Sequence, residues 1–247
     1  MEFYPGKSFS TIVPDGQRVD CPSPKMINGI KIKVCGITSP GDADAAAASG
    51  ADCLGFHIYP RSPRHAPLAQ YQAMHGRLPH VKRVAVCIKP SAADLNELVG
   101  QDFDYFQVNF TADTPMPFLF RCSQIIGPQR LWLAPRLPAG MDVDPEWLPL
   151  ADTFLLDPFQ ADKAGGSGPA CDWTKFKRHH EGHPDKQWIL TGGLDPENIG
   201  RAITATGAPW IDVNSGVEQS PGVKSPAKLK MFVHTLQRAT RPQNQAA

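Results

Sequence analysis

Lys31-Ile32-Lys33-Val34-Cys35-Gly36-Ile37-Thr38 decides how this chain is read. Ile30 to Val34 is β-rich and alternates apolar with charged side chains, which predicts a strand with one dry and one partly wet face. The run stops at Cys35-Gly36, so a thiol stands at the C-terminal tip of the strand, ahead of a flexible turn. Ser39-Pro40-Gly41-Asp42 then signals a turn and a helix start, and Ala43 to Ala48 is an alanine-rich helix. Cys53 to Tyr59 is a second strand, and its tip carries Pro60-Arg61-Ser62-Pro63-Arg64.

The same unit recurs outward from this stretch. Further strands are expected at 81–88, 104–109, 131–137, 153–157, 188–194 and 210–216. Helices are expected at 67–78, 92–99, 113–122, 172–179, 196–205 and 226–238, with a short one near 145–150. Pro115 and Pro117 make 113–122 the least regular of these. Eight strand–helix units in one chain of 247 residues predict an α/β fold, a single (β/α)8 barrel. An open doubly wound sheet is the weaker reading, because no GxGxxG follows the first strand. The barrel is assigned to residues 30–240. Residues 1–29, rich in Pro, Gly and Ser, form an N-terminal extension, and 241–247 a polar tail.

Composition narrows the function classes. Lysine and arginine total 25 against 24 acidic residues, a net charge of +1, so no charge imbalance points to nucleic acid or an anionic membrane. No apolar run approaches the ~18 residues of a membrane span, and Glu2, Pro5 and Asp15 interrupt any secretory signal. The six cysteines are scattered without a CxxC pair, which predicts a reducing, cytoplasmic setting and no disulfide frame. No metal-ligand spacing stands out.

Polar chemistry falls just after the strands, where a barrel places its active site. Cys35 at the tip of the first strand reads as a small buried hydrophobe, or as a nucleophile or general base if its neighbours lower its pKa. Asp157, at the end of the apolar run Phe154-Leu155-Leu156, reads as a loop anchor or as a general acid whose proton is held by apolar walls. Gly165-Gly166-Ser167-Gly168, Gly192-Gly193 and Ser215-Gly216 follow the sixth, seventh and eighth strands. Backbone N–H groups freed by such turns bind phosphate, and the barrel's common phosphate site lies there. Arg61 and Arg64 stand at the rim, where an arginine can grip a carboxylate in a bidentate fork.

On these residues the chain resembles the phosphoribosylanthranilate isomerase family of tryptophan biosynthesis. Lys33-Val34-Cys35-Gly36-Ile37-Thr38 is similar to its KxCGIT opening. The likeness continues through Gly50 to Phe56, Tyr59 to Arg64, Val81 to Val86 and Leu155-Leu156-Asp157. It runs on through Gly165 to Gly168, Asp172-Trp173, Thr191 to Asn198, Asp212 to Glu218 and Pro221 to Lys224. The resemblance implies a barrel isomerase that performs an Amadori rearrangement on a small phosphorylated aminosugar without a cofactor. It implies Cys35 as general base, Asp157 as general acid and Arg64 as partner of the anthranilate carboxylate. Substrate contacts would come from Asn109, Gly166, Gly168, Gly192, Gly193, Asp212, Ser215 and Gly216.

The chain departs from the family pattern at four places. Gln107-Val108-Asn109-Phe110 stands for Gln-Leu-His-Gly, Trp132 to Arg136 lacks the fifth strand's usual lysine, Asn214 replaces serine, and His57 replaces an apolar residue. Asn109 is expected to offer a neutral hydrogen bond to the aromatic ring's surroundings, and Phe110 to narrow the pocket. These changes keep two other readings open: a related isomerase for a different phosphorylated aminosugar, and a non-catalytic phosphosugar-binding paralogue. The sequence leaves the oligomeric state open.

Overall fold

The computed structural model describes residues 26–138, 140–158 and 172–240, together with the short strands Thr11–Ile12 and Arg18–Val19; those two strands and residues 157–158 are described as backbone only. Eight parallel strands close into a barrel: β1 Lys31–Cys35, β2 Cys53–His57, β3 Lys82–Ile88, β4 Tyr105–Thr111, β5 Leu131–Leu137, β6 Thr153–Pro158, β7 Gln187–Leu190 and β8 Trp210–Val213. Each pairs with its neighbours in sequence, and β8 returns to β1 through Trp210↔Lys31 to Val213↔Val34. The outer helices are α1 Pro40–Ala48, α2 Leu68–Met74, α3 Ala92–Val99, α4 Met116–Ile126, α5 Trp173–Gly182, α6 Ile199–Thr206 and α7 Pro226–Ala239. A 3-10 turn, Pro145–Leu150, stands between β5 and β6.

The two-residue period of a strand splits the core into two compartments. Outward-facing Phe106, Val108 and Phe110 of β4 pack against the helices, as do Ala85 and Cys87 of β3. Inside, Cys35, Cys53, Val84, Val86, Trp132, Ala134, Leu155, Ile189 and Trp210 form a second cluster that fills the barrel. Tyr105 stacks on Trp132 at 4.8 Å, and Trp210 meets Trp132 edge-on at 5.0 Å. This aromatic plug fills the N-terminal end of the barrel, and polar side chains gather above it toward the C-terminal mouth.

Local chemistry sets the element ends. Ser39 caps α1 by accepting from Asp42 N, with Pro40 in the first turn. Ser91 and Asp94 form a capping box at α3. Three expected strands end earlier than read, β2 stopping at His57 and not at Tyr59. β7 ends at Leu190 because Gly192 and Gly193 turn to φ 95° and 63°, and β8 ends at Val213, where the 3-10 turn Ser215–Val217 begins. The fourth helix begins at Met116, with Pro115 as its N-cap and Pro117 in its first turn, where proline is tolerated, and runs on to Ile126. α6 starts at Ile199, because the Asp195 carboxylate accepts from Glu197 N and Asn198 N and holds them in a turn.

Candidate active site

Parity along β1 builds the site. Cys35 faces the barrel interior, so Lys33, two residues earlier, does as well. The face expected to be partly wet is in fact sealed: Lys33 is 0% exposed and Cys35 3%. The Lys33 ammonium finds its partners there. Nζ lies 2.8 Å from Asp212 Oδ2 on β8, 2.7 Å from Gln107 Oε1 on β4 and 3.2 Å from Cys35 Sγ. Room for this cluster comes from Gly55 on β2, the register partner of Cys35. A Cβ on Gly55 would sit 2.8 Å from Cys35 Sγ and 2.9 Å from Lys33 Cε.

Burial pushes the Cys35 thiol up, Lys33 pulls it down, and Asp212 pushes it up again; the net direction is upward. Burial works against the Lys33 charge, but Asp212 and Cys35 outweigh it and hold lysine above its ordinary value. The resting arrangement is therefore a charged lysine against a carboxylate, with a protonated thiol that gains stabilisation the moment it ionises.

On the other flank, Cys35 Sγ lies 3.2 Å from His57 Nε2 at the end of β2, and His57 Nδ1 lies 2.7 Å from Ser62 Oγ. Beyond them, Arg64 grips Glu218 with two nitrogens, Nε at 2.9 Å from Oε1 and Nη2 at 2.7 Å from Oε2. Lys224 Nζ adds contacts at 2.9 Å to Glu218 Oε1 and 3.0 Å to Asn214 Oδ1. This ion pair ties the loop after β2 to the segment after β8.

One cavity opens at the C-terminal ends of the strands. Of the residues expected in the site, Cys35, Asn109, Gly192, Gly193, Asp212 and Ser215 line it. Asn109 Nδ2 donates to Cys87 O at 3.3 Å. Gly216 packs the two phosphate-turn candidates together, since a Cβ there would come within 2.0 Å of Leu194 O. Arg64 stands beside the cavity against Glu218. Asp157 pairs in register with Arg136 of β5, two residues beyond inward-facing Leu155; its side chain, and Gly166 and Gly168, lie outside the described residues. Phe110 corrects an expectation. It points outward and meets Trp147 edge-on at 5.1 Å, so it cannot narrow the pocket. The period of β4 turns Asn109 inward and its neighbour out.

Lys33, Gln107, Arg136, Glu218 and Lys224 escaped the reading of the chain as site residues. Parity was the available signal for three of them: 33 shares its face with 35, 107 with 109, and 136 with 134. The pairing of Glu218 with Arg64 joins residues 154 apart in sequence, so nothing local announces it, and Lys224 joins the group through Glu218.

Comparison with known proteins places this geometry. The family described as N-(5'phosphoribosyl)anthranilate (PRA) isomerase matches residues 32–235. The N-(5'-phosphoribosyl)anthranilate isomerase of Neisseria gonorrhoeae is 35% identical over 213 residues, covering 86% of this chain and 99% of the relative. That of Pseudomonas putida is 35% identical over 215 residues, covering 85% and 98%. Among solved structures, phosphoribosyl anthranilate isomerase from Thermus thermophilus superposes with a TM-score of 0.69 at 28% identity, over 85% of this chain and 99% of the other. A phosphoribosyl anthranilate isomerase in complex with reduced 1-(o-carboxyphenylamino)-1-deoxyribulose 5-phosphate gives 0.64 at 26% identity, over 85% and 99%.

Proposed function

The chain belongs to the N-(5'-phosphoribosyl)anthranilate isomerase family, and from that premise we propose how this barrel carries out the Amadori rearrangement of N-(5'-phosphoribosyl)anthranilate in tryptophan biosynthesis. Asp157 acts as general acid and Cys35 as general base. The acid protonates the furanose ring oxygen, and the ring opens to a protonated imine. The Cys35 thiolate takes the proton from the sugar C2', and the resulting enolamine tautomerises to the aminoketone.

The observation that carries this reading is the Lys33 ammonium, 3.2 Å from Cys35 Sγ in a sealed interior. Lys33, salt-bridged to Asp212 at 2.8 Å, stabilises a thiolate 3.2 Å away, since a neighbouring cation favours the ionised form. β6 lies three strands from β1 around the closed barrel, and Asp157 falls near its C-terminal end, at the same mouth as the thiol. Glu218 holds the plane of the Arg64 guanidinium, which is assigned to the substrate carboxylate. The turns at Gly192-Gly193 and Ser215-Gly216, with Gly166 and Gly168, take the phosphate through backbone N–H groups. Asn109 reaches the cavity while Phe110 faces away, so one altered residue, not two, meets the anthranilate end. The barrel as a whole is taken to span 30–240 and to work in the cytoplasm. Among the described residues, no helix is long and apolar enough to cross a membrane.

Complementation tests the assignment. The gene for this chain should restore growth without tryptophan to a strain lacking this isomerase, and the Cys35→Ala version should not. Failure of the folded parent protein to support growth would move the activity to another phosphorylated aminosugar.

A further inference from the structure

We propose that His57 and Ser62 form a proton relay that carries the Cys35 proton between the buried thiol and solvent, with His57 staying neutral throughout. The inference rests on Cys35 being the catalytic base.

The bookkeeping of the reaction creates the need. In each turnover Cys35 gains the C2' proton and Asp157 loses one. The substrate and product differ by no proton, so the enzyme must shed the proton from sulfur before it works again. Cys35 lines the cavity but is only 3% exposed, and His57 is its hydrogen-bond partner on that side.

The geometry supplies one path. Cys35 Sγ lies 3.2 Å from His57 Nε2, and His57 Nδ1 lies 2.7 Å from Ser62 Oγ. Ser62 is partly exposed, and its Oγ accepts from Arg64 N at 3.1 Å, which fixes the hydroxyl in place. The loop is pinned by Ser62 N to Tyr59 O and His65 N to Ser62 O, both 3.0 Å. Two hydrogen-bond patterns fit this chain. In one, the Cys35 S–H donates to Nε2, and Nδ1–H donates to Ser62 Oγ. In the other, the Ser62 O–H donates to Nδ1, and Nε2–H donates to a thiolate. Passing from the first to the second moves the thiol proton to Nε2, the Nδ1 proton to Oγ and the hydroxyl proton to water. The S–H, Nδ1–H and O–H bonds break, and Nε2–H, a new O–H and a hydronium O–H form. Imidazole ends neutral, as it began.

A neutral relay suits the surroundings better than an imidazolium. His57 faces Lys33 on β1, Arg64 in its own loop, and Lys224 and Glu218 after β8. Burial first, then the three cations, push its pKa down to about 3 against Glu218 alone. Cys35 in turn faces Lys33, Asp212 and Lys224. Lys33 stabilises the thiolate but, with its proton held by Asp212, does not accept the thiol's.

The test compares His57→Gln and Ser62→Ala with the parent enzyme in steady-state turnover at rising concentrations of a small buffer such as imidazole. Gln keeps a hydrogen bond to sulfur but cannot switch tautomers, and Ser62→Ala leaves the His57–Cys35 contact intact. The relay predicts that kcat falls roughly tenfold or more in each, with KM nearly unchanged. It predicts that the double variant is no slower than His57→Gln alone, and that kcat climbs with buffer concentration only in the variants. Parental kcat in folded Ser62→Ala and His57→Gln would overturn the relay, as would a loss that buffer does not restore. Cys35→Ala run alongside separates the two levels: full turnover there would remove the base itself, whereas a dead Cys35→Ala with unaffected relay variants removes the relay only.

Discussion

Lys33 keeps a full charge at 0% exposure because Asp212 and Gln107 both bond to it. Removing the lysine leaves a carboxylate buried without its cation, which costs roughly 3–5 kcal/mol. Lys33→Met should therefore lower the unfolding free energy measured by urea titration by an amount in that range. It should also raise the thiol pKa, since a cation beside sulfur lowers it. The alkylation rate of Cys35 as a function of pH reads this directly, and its midpoint should move to higher pH. An unchanged unfolding midpoint and an unchanged alkylation profile would show that the lysine is a bystander.

At the scale of elements, the loop after β2 and the segment after β8 are joined by Arg64, Glu218 and Lys224. Burial alone would raise the Glu218 pKa, but Arg64 and Lys224 outweigh it and hold it below the ordinary carboxylate value of 4.5. A group with a lowered folded pKa contributes stability that is fully present above its unfolded value and is lost as pH falls through the folded one. Glu218→Gln should therefore be less stable than the parent near neutrality. The gap should narrow between roughly pH 5 and pH 3. Thermal unfolding across that range checks it, and a gap that stays constant with pH would contradict it. These elements also mark what could be read in the chain. Strands and helices were legible from alternation and capping residues, which are local. The early ends of β7 and β8 were not, because Gly192 and Gly193 turn to positive φ and Gly216 packs directly against the Leu194 carbonyl. Phe110 was misplaced because its neighbour Asn109 suggested a pocket residue, whereas strand period alone turns it outward.

On the scale of the whole molecule, eight strands gather residues from 33 to 224 at one mouth, above a plug of Trp132, Trp210 and Tyr105. Cys35, Gly192, Gly193, Asp212 and Ser215 were legible as cavity residues because they stand near or just beyond the C-terminal ends of strands. The charge network beneath them was not, because its members meet only once the barrel closes. The proposed base, which moves the C2' proton, is the thiol of Cys35. The measurement that bears on it most directly is the kcat of folded Cys35→Ala on N-(5'-phosphoribosyl)anthranilate. Loss of a general base predicts a fall of roughly 10² to 10⁴-fold, with binding of a reduced product analogue nearly intact because Arg64 and the phosphate turns remain. Parental turnover from the folded variant would contradict the claim.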